Sequence, residues 1–229
     1  MTAFDRELVA ARLAEQEALF TLLGRAIYGM PDREIFAAMA ERGIFDEVPF
    51  VDAEKAEPAR KALEAWAQSC ADPFGDGDFE AIRVDYARLF VGAQKVAAPL
   101  WESVYFNRER MVFQQQTMEV RRAYRTYGLE VDGFGHEPDD NLAFELLFMA
   151  RLANLASGAL VTENTELLKQ VATDMKAFVC DHPLTWVDAW RDLVVEKAQG
   201  GFYPGYAMLV VLACSESARF AQSLLEQME

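Results

Sequence analysis

The chain is short of positive charge, of histidine and of cysteine. Lysine and arginine number 22 against 37 aspartates and glutamates, a net charge of −15. Nucleic-acid binding relies on clustered Lys and Arg that displace counterions. A balance this acidic argues against that class and favours a basic peptide or protein partner, drawn in by long-range attraction. The three cysteines, Cys70, Cys180 and Cys214, lie far apart with no CxxC pair. That is neither a zinc pattern nor a disulfide framework, and it suits a reducing cytoplasm. The two histidines, His136 and His182, stand in no HExxH or ExxH spacing, so neither a catalytic zinc nor a di-iron site is expected. GxSxG and the phosphate-cradling GxxxxGK(S/T) are missing too. These absences point to a protein that is not an enzyme and carries no metal or cofactor.

Long apolar runs are also lacking. The N-terminal MTAFDRELVAARLAEQ carries acids and no apolar centre, unlike a secretory signal. No charge-free apolar run reaches the ~18 residues of a membrane span, because Glu145 and Arg151 interrupt the longest candidate. The expectation is a cytoplasmic chain with no integral membrane segment.

What is present is helical periodicity. Hydrophobic residues make up 52% of the 229, enough for a sizeable core. Apolar positions recur at helical spacing over 8–28, 32–43, 53–71, 79–90, 117–128, 138–157, 163–181, 185–199 and 202–227. Gly29 and Pro31 stop the first helix, Asp32 caps the second and Gly128 closes the fifth. The 72–78 stretch DPFGDGD lacks the Gly and closing Glu of a calcium loop, so it is an acidic connection. The fold class predicted is all-α, a single globular bundle of roughly nine to ten helices. Residues 1–229 form one domain, with Gly133 and Gly135 a hinge within 129–137 that would permit domain swapping, so a monomer or a swapped dimer is expected.

One motif stands out: HEPDDNLAFELLFMARL, residues 136–152, sets three acids and an Asn against an apolar run. Pro138 suits the first helical position, which puts Glu137 at the N-cap and Asp139 and Asp140 in the first turn, facing the positive helix end. Further on, Asn141 and Glu145 share a face flanked by Leu142, Phe148, Met149 and Leu152. A carboxylate on so apolar a surface must be paired or desolvated at a cost. Glu145 is therefore either locked to an arginine or the polar floor of an apolar groove.

Three stretches, DYARLFVG (85–92), PLWESVYF (99–106) and EPDDNLAFEL (137–146), resemble in order and separation the TorD/DmsD/NarJ family, whose motif reads E-P-x-D-H followed by E-L. HPLTW (182–186) and GFYPGYA (201–207) agree with it, the second being similar to the family's F-Y-x-x-L-A. The resemblance implies an all-helical cytoplasmic chaperone that binds the twin-arginine leader, or the body, of a molybdopterin oxidoreductase catalytic subunit. Such a chaperone holds its client for cofactor insertion and proofreads export. By motif position it implies Tyr86, Leu89, Phe90, Trp101, Tyr105, Asp140 and Asn141 as peptide-facing residues, with Glu137, Pro138 and Glu145 shaping the motif. Asn141 stands where the family has His, and Pro-Pro before the Trp is reduced to Pro99-Leu100. The alternatives are an assembly chaperone of the nitrate-reductase delta type, serving a reductase that is not exported, and a helical protein-binding adaptor.

Overall fold

The computed structural model describes residues 5–92, 96–131 and 137–228. Within them the chain forms ten helices: α1 (Arg6–Ile27), α2 (Arg33–Met39), α3 (Ala53–Ser69), α4 (Asp76–Phe90), α5 (Ser103–Phe106), α6 (Gln115–Thr126), α7 (Leu142–Val161), α8 (Thr165–Asp181), α9 (Pro183–Lys197) and α10 (Phe202–Gln227). Short polar side chains start five of them. Asp5, Asp32, Asp52, Asn141 and Asn164 each accept a backbone N–H of the first turn, which satisfies a donor the helix itself cannot. Gly128, at φ +68°, follows the end of α6 in the left-handed conformation that glycine takes most easily. Gly133 and Gly135, the expected hinge, lie outside the described residues, as does His136.

Several boundaries differ from periodicity, among them the end of α2 at Met39 and of α7 at Val161, and two of the helix starts have a reason in named contacts. α4 begins three residues early because Asp78 reaches back to accept from the Gly75 and Ala71 amides, at 2.9 and 3.1 Å. α7 begins four residues late, at Leu142, because Glu137–Asp140 are taken up by contacts with other segments.

α7 lies at the centre, packed along α1 and against α8, while α10 packs on α3, α8 and α9. Two glycines allow the closest approaches. A Cβ on Gly24 of α1 would stand 2.7 Å from Leu147 Cγ and 3.1 Å from the Ala143 carbonyl of α7. One on Gly205 of α10 would meet Leu63 Cγ of α3 at 2.9 Å and the Ala59 carbonyl at 3.1 Å. Polar ties cross the same core: Tyr206 donates to the Leu23 carbonyl at 2.7 Å, and Gln16 to Ser217 at 3.0 Å. α7 and α10 are long and apolar enough to cross a bilayer by length and composition, more apolar length than the uninterrupted runs suggest. Most of α7 is nevertheless covered by its neighbours, as the helix at the centre of a bundle must be.

Gly24→Ala should lower stability by about 1–3 kcal/mol, since overpacking outweighs the ~1 kcal/mol gain in helix propensity. Gly158→Ala, exposed on α7 with nothing within 4 Å of its Cβ, should raise stability by up to ~1 kcal/mol. Urea midpoints of the two variants check this; a shift in the same direction for both refutes the packing argument.

Candidate functional site

The stretch before α5 pairs with the stretch before α7. Trp101 and Asn141 form an antiparallel bridge. The Leu142 amide donates to the Leu100 carbonyl at 2.7 Å, and the Glu102 amide to the Asp140 carbonyl at 2.9 Å. Side chains finish the join. Asp140 is fully buried; its Oδ2 accepts from the Ser103 amide at 2.7 Å and its Oδ1 from the Thr117 hydroxyl at 2.6 Å. Asp139 accepts from Arg121 through Nε at 3.1 Å and Nη2 at 2.6 Å, and its carbonyl accepts from Tyr124 at 3.2 Å. α5, α6 and α7 are thus tied together by two consecutive aspartates.

This geometry corrects the reading of the acids as a first helical turn. The N-cap is Asn141, whose Oδ1 accepts from the Ala143 amide at 2.9 Å, not Glu137. Asp140 does not present its charge at the surface: both oxygens are engaged inside, so the residue holds the fold. Tyr86, Leu89 and Phe90 are core as well. Phe90 stacks on Trp190 at 6.2 Å and meets Tyr203 edge-on at 5.2 Å. Burial, followed by the nearby charge of Glu137, pushes the Tyr86 hydroxyl up to about 12. Tyr105 is partly buried, donating to the Pro99 carbonyl at 2.9 Å and lying 4.9 Å from the Trp186 ring. Pro138 is buried ahead of the helix and not at its first position.

Of the candidate site residues, Trp101, Tyr105 and Glu137 keep an outward side. One oxygen of Glu137, Oε1, accepts from Trp101 Nε1 and from Asn141 Nδ2, both at 2.8 Å. The carboxylate thereby fixes the indole plane and the Asn141 amide at once. An apolar cavity of about 310 Å³ is lined by Tyr28, Tyr124, Leu129, Val131, Phe144 and Phe148 together with Glu130 and Arg151, and Phe144 stands one turn along α7 from Asn141. Tyr124 belongs to both places, since its ring lines the cavity and its hydroxyl holds Asp139.

Beneath the ladder is a buried acid cluster that sequence spacing does not reveal. Glu102, Asp140 and Glu145 are all shielded from solvent, and His182 is buried beside them with Nδ1 3.0 Å from Glu102 Oε2. The expected arginine partner for Glu145 is not there. Neither of its oxygens has a hydrogen bond of good geometry, although Glu102 and the Trp186 indole stand near enough to act on it. Burial first, then the charges of Glu102 and Asp140, hold the Glu145 carboxyl well above the ordinary carboxylate range. Another motif acid has a similar structural post. Asp85 of DYARLF accepts from the Gln199 and Gly200 amides, at 2.9 and 3.0 Å. It secures the turn that leads into GFYPGYA.

A raised pKa gives a signed prediction. Unfolded, Glu145 ionises near 4.5; folded, it stays neutral to a higher pH. Its contribution is fully present below 4.5 and is lost as pH rises from there through the folded value. Glu145→Gln keeps the shape and a donor towards Glu102 without the titration. It should be more stable than the parent at about pH 8 and close to it near about pH 4.5. Thermal midpoints across this range check it; parallel curves for the two proteins would show that Glu145 does not titrate there.

Comparison with known proteins agrees with the motif geometry. The family model described as nitrate reductase delta subunit matches residues 52–192. The chain is 28% identical over 139 residues to chaperone protein TorD of Photobacterium profundum, covering 61% of this chain and 63% of that one. Over 146 residues it is 24% identical to chaperone protein TorD of Vibrio cholerae, with 64% of each covered. Over 137 residues it is 25% identical to the Tat proofreading chaperone DmsD of Salmonella typhimurium, with 60% of each covered. The chain therefore spans a little under two thirds of the length of these curated relatives. The span matched by the family model takes in DYARLF, PLWESVYF, EPDDN and HPLTW, the last three of which hold one another here, and on that match the chain belongs to the nitrate reductase delta subunit family.

Proposed function

We propose that this chain is a chaperone, not an enzyme, that holds the twin-arginine leader of a molybdopterin oxidoreductase catalytic subunit while its cofactor is inserted. The observation that carries the reading is the Trp101–Glu137–Asn141 ladder with the apolar cavity lined by Phe144 one turn along α7. A twin-arginine leader offers a basic region followed by ~7–15 apolar residues. Glu137 is the motif carboxylate with an outward side, since Asp139 is paired with Arg121 and Asp140 is enclosed. One Glu137 oxygen orders Trp101 and Asn141, which leaves the other to accept a guanidinium of the leader. Trp101 supplies a flat apolar face at the same place, the kind of residue that dominates binding hot spots. The cavity, at the small end for ligand pockets, receives only the first few apolar side chains behind the arginines. The net charge of −15 draws in the basic region at low ionic strength. The names of the relatives, chaperone protein TorD and Tat proofreading chaperone DmsD, support this reading over that of an assembly chaperone for a reductase without a leader.

The test uses a synthetic peptide with Arg-Arg ahead of the apolar run, and its Lys-Lys counterpart. Glu137→Gln keeps the acceptor for Trp101 and Asn141 and removes only the charge. It should weaken the Arg-Arg peptide by about 1.5–3 kcal/mol, roughly ten- to a hundredfold, the scale of a hydrogen bond to a charged group. Asp140→Asn should lower stability and leave affinity per folded molecule unchanged. Because Trp66, Trp186 and Trp190 are buried and Trp101 is not, the fluorescence change on binding should vanish in Trp101→Phe. Equal affinity of Glu137→Gln and parent for the Arg-Arg peptide would defeat the assignment.

A further inference from the structure

We infer that the loop ahead of α6, together with the outer face of α6, docks this chain onto an anionic lipid bilayer. The surface includes neither Trp101 nor Glu137, so it stands apart from the leader reading and is tested separately. Phe106, Met111, Phe113 and Met118 are 49, 47, 45 and 53% exposed. Among the described residues no other stretch of that length carries four large exposed apolar side chains. Charge inverts at the same place. Residues 106–126 hold five arginines against Glu109 and Glu119, in a chain whose net charge is −15. Arg121 and Arg125 are paired, with Asp139 and Glu130, while Arg108, Arg110 and Arg122 are exposed and pair with no carboxylate among the described residues; Arg25, Arg42 and Arg151 are also exposed without such a pair, but they lie apart from one another in the sequence.

The loop is built, not loose. Asn107 donates to the Ser103 and Met111 carbonyls, at 2.7 and 2.9 Å, and accepts from the Met111 amide at 2.8 Å. Arg110 and Phe113 sit at φ +54° and +58°, the left-handed region that Asn or Gly takes with least strain. Here a cation and a phenyl ring occupy it instead, as Phe50 and Glu163 do elsewhere.

Magnitudes favour a bilayer over a folded protein. Four half-exposed side chains offer roughly 400 Å² of apolar surface, about half the ~800 Å² that one partner gives to a standard interface. A bilayer asks for less, because shallow apolar insertion and a basic patch act together. Arginine stems can lie along the inserted side chains while their guanidinium heads reach phosphate. The acids on distant faces do not cancel this, since charge is screened beyond ~8 Å at physiological salt.

The full chain is sedimented with phosphatidylcholine vesicles, and with vesicles carrying about 30 mol % phosphatidylglycerol. Partition into the anionic vesicles should exceed that into neutral ones by about tenfold or more, and fall with added salt. Arg110→Asn with Phe113→Asn suits both left-handed positions, so it should fold as well as the parent and lose most of the partition. A second variant, Arg108→Glu with Arg122→Glu, reverses exposed charge only and should lose it too. Equal partition into both vesicle types, no partition into either, or folded variants that sediment like the parent would each overturn the proposal.

Discussion

The pairing of residues 100–102 with 140–142 is the constraint on which the rest of the site depends. It sets where α7 begins, because Leu142 gives its amide to Leu100 before the helix can use it. It also delivers Asp140 to the interior, where its carboxylate accepts from a backbone amide and from the Thr117 hydroxyl. A buried carboxylate without such donors would cost several kcal/mol. With them it locks three segments far apart in sequence. Trp101 and Glu137 flank this lock, so their relative position is inherited from a rigid base and not from a flexible loop. A rigid base lowers the ordering cost of any ligand they receive.

The five stretches that mark the family meet in two groups, the first with the last and the second with the third and fourth. Asp85 of the first holds the turn leading into the last. Glu102 of the second meets His182 of the fourth, and Tyr105 of the second lies on Trp186 of the fourth. Asp140 of the third holds Ser103 of the second. Most residues that the motifs single out therefore position others, and few of them face outward. The cost is concentrated at Glu145, where three acids are buried together and burial with the charges of Glu102 and Asp140 holds the one without good hydrogen bonds above the ordinary carboxylate range. Breaking that arrangement from one side leaves an unpaired charge, which is why such clusters couple distant segments strongly.

The helical spans are legible in the sequence because burial on one face imposes its period, and α10 is found at the residues the period gives, 202–227. The short caps are legible for a local reason: Asp32 reaches only two and three residues ahead. The site is legible in part. Proline and three acids before an apolar run suggest a capped helix start, and only the Leu142–Leu100 pairing, across more than forty residues, moves the start to Asn141. Burial of Tyr86, Leu89 and Phe90 follows from an aromatic cluster built with Trp190 and Tyr203, a hundred residues or more away. A motif shows which residues belong together; it does not show which of them face water.

Asn141, where the family has histidine, follows from the same logic. Its amide does two jobs at fixed charge, accepting from Ala143 to cap α7 and donating to Glu137. An imidazole at that place would gain a proton within the physiological range. It would then put a cation against the positive end of α7, which opposes the helix dipole, and beside Glu137. With asparagine no such cation arises at the start of α7. Asn141 therefore holds its place in the ladder without a titration of its own, and the nearby acid whose pKa is raised is the buried Glu145.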